Sequence, residues 1–148
     1  MVTFGLVAGL LIAAGVAGCV RLVPSDPVAW HVDPGGVTKP ATPNNWLAAE
    51  RGDAPPLRLP GDAATVAARL EAIALATPRT RVLAGEGGFV TYETRSAVFG
   101  FPDYTSVRIR PDGTGSVVTG FARARYGRSD MGVNRARLDG WFGALAAP

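Results

Sequence analysis

The sequence predicts an α+β domain: a four-stranded antiparallel meander with two helices on one face, in the order α-β-β-β-β-α. Three observations predict it. Short runs of strand-like residues are separated by turn residues. An amphipathic helical stretch precedes those runs and another follows them. All the connections between these elements are short. An N-terminal transmembrane helix or lipoprotein signal is expected ahead of this domain, which divides the 148 residues into an anchor (1–22), a Pro-rich extended tether (23–60) and the domain itself (61–148).

Residues 1–20 carry no charged side chain. As a helix rising ~1.5 Å per residue, that run matches the thickness of a bilayer's hydrocarbon core. Two anchors are open. An uncleaved span accounts for the length, and its Gly and Ala content is common in membrane helices. Alternatively, Val16-Ala17-Gly18-Cys19 resembles a bacterial lipobox, with Cys19 as the lipidated residue. A secretory signal normally opens with Lys or Arg, and this one offers only the terminal amine. A cleaved soluble form is the third reading; all three place the domain at a membrane or beyond it, and the export-like character of the run favours a periplasmic domain on the bacterial inner membrane. Arg21 after the run argues the other way under the positive-inside rule.

Eight of the twelve prolines fall between Val23 and Pro60, which excludes a long helix or a central strand there. Trp30 and Trp46 keep the tether from being wholly solvated. Trp30 suits a place just outside a bilayer, and Trp46 a plug on the domain surface. Asp62 is placed to cap a helix over Ala63–Leu75, with Val66, Leu70, Ile73 and Leu75 near one face, and Thr77-Pro78 stops it. Thr80–Ala84 reads as a strand and Glu86-Gly87-Gly88 as a turn. Phe89–Arg95 alternates, with Phe89, Thr91, Glu93 and Arg95 on one side and Val90, Tyr92 and Thr94 on the other. In Thr105–Arg110, Val107 and Ile109 point inward and the arginines outward. Pro111-Asp112-Gly113 predicts a hairpin turn, with Ser116–Arg125 returning. A last helix over Val133–Leu145 carries the stripe Leu138, Trp141, Phe142 and Leu145.

Two segments fit no amphipathic pattern: Ser96-Ala97-Val98-Phe99-Gly100-Phe101-Pro102-Asp103, and Arg125 through Arg137. On Ser96, Phe99, Gly100, Phe101 and Asp103, then Arg125, Gly127, Ser129, Asp130, Gly132, Asn134, Arg135 and Arg137, the chain resembles the domain of unknown function 1499 family. The resemblance spans about Ala63 to Leu145 and brings no activity with it. Two serines of the family's pattern are Ala122 and Ala124 here, and the second of its paired aspartates is Tyr104. Pro43-Asn44-Asn45-Trp46 stands where many members carry Pro-Asn-Cys. Roles that need those hydroxyls, that carboxylate or that thiol do not carry over.

A formal charge of +3, with 15 basic and 12 acidic residues, is too weak a footprint for a nucleic-acid binder. A single Cys excludes an internal disulfide and a multi-thiolate metal site; no cofactor or metal is expected. The one histidine, His31, lies outside the domain, so Ser96 has no imidazole to act as its base. The second segment precedes a helix N-terminus, where N–H groups and the helix dipole favour anions. Arg125, Ser129, Asp130, Asn134 and Arg135, with Ser96 and Asp103, are therefore the candidate ligand-binding set. The competing reading is structural, with Ser129 or Asp130 capping the helix, Arg125 bridging to that cap, and the other arginines paired internally. The expectation is a membrane-tethered extracytoplasmic binding domain that recognises an envelope partner, such as a membrane protein, or a small anionic ligand. Two alternatives stand beside it: a hydrolase-like enzyme that uses Glu93, Asp103 or Asp130, converging in one pocket, with arginines holding an oxyanion, and a structural subunit of a membrane complex.

Overall fold

The computed structural model describes Gly15, Gly18 and residues 20–147. Most of the apolar run, including Cys19, lies outside the described residues. Among those described, no helix is long and apolar enough to cross a membrane. The elements begin with a helical turn α1 (Pro27–Trp30), a 3₁₀ turn Pro34–Gly36, and strands β1 (Asn45–Ala48) and β2 (Leu57–Pro60). There follow α2 (Ala63–Ala76), β3 (Thr80–Glu86), β4 (Phe89–Arg95), β5 (Pro102–Asp112), β6 (Gly115–Ala124) and α3 (Val133–Ala146).

The antiparallel meander β3-β4-β5-β6 is present, inside a larger six-stranded sheet of order β1-β6-β5-β4-β3. The expectation of four strands is corrected here. The Pro-rich segment supplies two short strands, and both pair with β6: β2 along its first half (Leu57↔Val118) and β1 along its second (Leu47↔Phe121). Prolines are tolerated there because an edge strand needs ladder bonds on one side only. The β5–β6 turn also differs from expectation. Pro111 pairs with Ser116 within the ladder, and the chain reverses at Gly113, whose φ is +60°. The register of β4 ends at Phe89↔Arg108, so a missing N–H at Pro111 removes no bond to that strand.

Both helices pack on one face. Val66, Ala67, Leu70 and Ala74 of α2 and Trp141 and Leu145 of α3 close over Val90, Tyr92, Val107, Ile109 and Val118. Asp62 caps α2 as expected, accepting from the N–H groups of Ala64 and Thr65. Leu75 is exposed instead of buried, because nine residues at ~100° each place it opposite Val66. The ring of Trp141 meets Tyr92 edge-on at 5.4 Å, and its Nε1–H donates to Thr77 Oγ1 at 2.8 Å.

Glu93, Arg95, Arg108 and Arg110 point to the other face of the sheet, away from the helices. That face is covered. Residues 20–37 run across it as a strap, and beneath them Thr91, Glu93, Tyr104 and Ser106 are fully buried.

Candidate functional site: the signature loops and the strap

The strap is held mainly by arginines donating to its backbone carbonyls. Arg95 Nη1 donates to the carbonyls of Val20 and Arg21 and Nη2 to that of Val23, at 3.1–3.2 Å. Arg123 donates to the Trp30 carbonyl, and Arg125 to that of Pro24 at 2.9 Å. Such charge-assisted bonds fix an extended segment without demanding particular side chains from it. Three ring contacts add to them. Trp30 stacks on Tyr104 at 4.0 Å, so the residue that replaces the family's second aspartate is the seat of the strap. Trp30 is thus committed to the sheet. His31 stacks on Phe89 at 3.8 Å and its Nδ1 meets Thr91 Oγ1 at 2.9 Å. The guanidinium of Arg123 lies over Phe121 and Trp30; burial lowers its pKa to about 10, partly opposed by Tyr104.

In return the first signature segment grips the strap. Ser96 Oγ accepts from the Phe101 N–H, closing the 96–101 loop around Gly100. That loop turns two carbonyls toward Arg21, whose Nη2 donates to Ala97 and Val98. A side chain at position 100 would collide with Arg21, since a Cβ there would lie 2.4 Å from Arg21 Cγ, and the φ of +73° also favours glycine.

The second segment organises the start of α3. Asp130 accepts from the N–H groups of Gly132 and Asn134 at 3.0 and 2.9 Å. Burial alone would raise its pKa, but these bonds outweigh it and hold the carboxyl below its ordinary value. The helix N-terminus expected to attract an anion already carries this carboxylate. Asn134, fully buried, accepts from Arg137, which also pairs with Asp103 at 3.0 Å. Burial raises the pKa of Asp103, Arg137 works against that rise, and nearby Asp130 adds to it. The expected bridge from Arg125 to Asp130 is not formed: Arg125 faces the strap and Asp130 the helix. Ser129 accepts from the Met131 N–H, and exposed Arg135 pairs with Asp139 while lying over Trp46 at 4.5 Å.

Ser96, Asp103 and Arg137 do meet, in a groove of about 510 Å³ that also holds Arg79 and Arg95. Arg125, Ser129, Asp130, Asn134 and Arg135 do not line it. Glu93 lies on the strap face, clamped by Arg81 and Arg95, whereas Asp103 pairs with Arg137 on the helix face. The three carboxylates therefore do not converge. Among the described residues, no group of three or more His, Cys, Asp or Glu could hold a metal ion. The residues that sequence reasoning missed are Arg95, Arg123 and Tyr104. Arg95 shares its face of β4 with Thr91 and Glu93, a polarity that suits a covered polar face better than an open one, whereas Arg123 lies on β6 between Phe121 and Arg125 and opposite Tyr104.

No curated protein and no solved structure matches the chain. A family model does match, and it begins at residue 37, well ahead of Ala63, so that it takes in β1 and β2 together with both signature segments. Over residues 37–145 the chain belongs to the family described as "Protein of unknown function (DUF1499)".

Proposed function

We propose that this is a membrane-tethered, extracytoplasmic binding domain, carried close against the end of its own anchor. The single observation that carries the reading is the pair of reciprocal clamps around residues 20–23: Arg95 on their carbonyls, and the 96–101 loop on Arg21. A domain on a free leash would not need them. Binding is favoured over catalysis because the candidate carboxylates are committed to structural partners. Ser96 is likewise engaged by a backbone N–H, and the lone histidine belongs to the strap, stacked on Phe89 on the opposite face of the sheet from Asp103. The ligand surface is the groove beside Ser96, Asp103 and Arg137. There exposed Arg79, which donates its Nε–H to the Arg95 carbonyl, presents positive charge to a carboxylate or phosphate.

Fractionation of cells expressing the full chain tests the tether. The protein is expected in the membrane fraction and open to protease from the extracytoplasmic side; recovery as a free cytoplasmic protein would overturn the reading. Cys19→Ala separates the anchors, since loss of membrane association together with lipid labelling favours the lipoprotein. For the groove, inorganic phosphate titrated into the detergent-solubilised full chain should shift the amide signals of Ser96 and Ala97, and Arg79→Ala should weaken that response about tenfold.

A further inference from the structure

The clamp around Arg21 places one end of the domain at the plane where the apolar run stops. The Val20 carbonyl, at the last residue of that run, is 3.2 Å from Arg95 Nη1, and the next residue is bonded to Ala97 and Val98. Large apolar side chains are exposed at this same end: Leu22 (84 %), Val98 (70 %) and Phe99 (42 %). Phe99 continues through Phe101, 5.6 Å away, to half-exposed Tyr126, 5.9 Å further on. Beside this patch a cleft of about 440 Å³ is lined by Arg21, Arg79, Arg81, Arg95 and Glu93; Arg81 and Arg95 pair with Glu93, whereas Arg21 and Arg79 have no acidic partner among the described residues. Apolar tips flanked by Arg21 and Arg79 suit a lipid interface, where acyl chains take the tips and headgroup phosphates take the cations.

We propose that the 96–101 loop, with Leu22 and Tyr126, is a second membrane contact that dips into the headgroup layer and holds the domain in one orientation on an anionic bilayer. This rests on the tether reading above, because only an anchored run ending at Val20 brings the loop to a membrane surface. Aromatic residues at the level of the headgroups are a recurrent feature of such interfaces. The remote end of the molecule supplies an internal control. The eleven-residue strand β5 separates the loop from the Gly113–Thr114 turn, a distance of ~35 Å at ~3.3 Å per residue.

The test uses the full chain in vesicles of phosphatidylethanolamine with about a quarter phosphatidylglycerol, with bromine on the acyl chains near the headgroups. Val98→Trp and Phe99→Trp each add emission to that of the three native tryptophans, and Thr114→Trp serves as the distal control. The added emission at positions 98 and 99 should be quenched at least about twofold and that at 114 unchanged, as expected of apolar side chains seated among headgroups. Equal quenching at all three positions, in chains that float with the vesicles, overturns the second contact and leaves the tether standing. Chains that fail to float overturn the tether and the contact together. Added emission shielded from both lipid bromine and aqueous iodide shows the patch covered by protein, which also overturns the proposal.

Discussion

Buried polar atoms are expensive when unpaired, and one of them faces a departure of this chain from the family pattern. Thr105 Oγ1 has no hydrogen-bond partner among the described residues. Ala122, which replaces a serine of the signature, stands directly across from it. Ala122→Ser should therefore stabilise the protein by about 1 kcal/mol, read as a rise in the thermal midpoint. The same geometry decides which pairs couple. Asp103→Ala and Arg137→Ala remove one shared contact, so a double-mutant cycle should show an interaction energy of about 1 kcal/mol or more. Asp130→Ala and Arg125→Ala act on opposite faces and should add to within about 0.5 kcal/mol. Asp130 also gives a pH signature. Its folded value lies below the ordinary 3.8, so its contribution is present above about pH 4 and is lost as the pH falls through the folded value. Asp103, raised by burial, works in the opposite sense. Asp130→Asn should flatten the acid limb of a melting-against-pH curve.

At the level of elements, the meander was legible because its hairpins are closed by local chemistry: Gly87-Gly88 and Gly113 reverse the chain, and period-two alternation sorts the faces. Strands β1 and β2 were not legible. Each is four residues long and lies among prolines, and each is defined by a partner remote in the chain, as Asn45 is by Arg123. No local pattern announces such a pairing. The capping role of Asp130 was readable from residue type, whereas the direction of Arg125 depends on the strap, which the sequence offers only as an extended Pro-rich segment. His31 makes that strap sensitive to pH. Burial first, then the charges of Arg108 and Arg123, lower its pKa below 6.5, so the fold favours the neutral ring. Stability is full above about pH 6.5 and declines as the pH drops toward the folded value. Amide protection factors over residues 22–33, taken relative to the intrinsic exchange rate at each pH, should accordingly fall below about pH 6.5, and His31→Phe, which keeps the stack on Phe89 without a titrating ring, should abolish that dependence. Constant protection across this range in the native chain would show that His31 does not control the strap.

On the scale of the whole molecule, the sheet is a middle layer with a helix pair on one face and the strap on the other. A chain beginning at residue 61 would keep α2, α3 and the four meander strands. It would also uncover the β6 edge that β1 and β2 occupy and the far face on which Thr91, Tyr104 and Ser106 lie at 0 % exposure. The buried charges suffer most. Arg123 would lose the Trp30 carbonyl, Arg125 that of Pro24, and Arg95 three of its acceptors, while Phe121 would lose its packing against Leu47. Several such losses together exceed about 2 kcal/mol, which for a domain of this size lowers the melting midpoint by about 10 °C or more. A chain beginning at Val20 keeps every one of these contacts and should melt within about 2 °C of the full-length protein, since only the apolar run is gone. Comparing the two by circular dichroism therefore measures what residues 20–60 contribute to the fold. If the chain from residue 61 melts like the chain from residue 20, the segment is a dispensable leash and the clamps around Arg21 hold nothing. If it melts early or fails to fold, the domain and its attachment are one cooperative unit, and the membrane-facing end is fixed by the same contacts that stabilise the sheet.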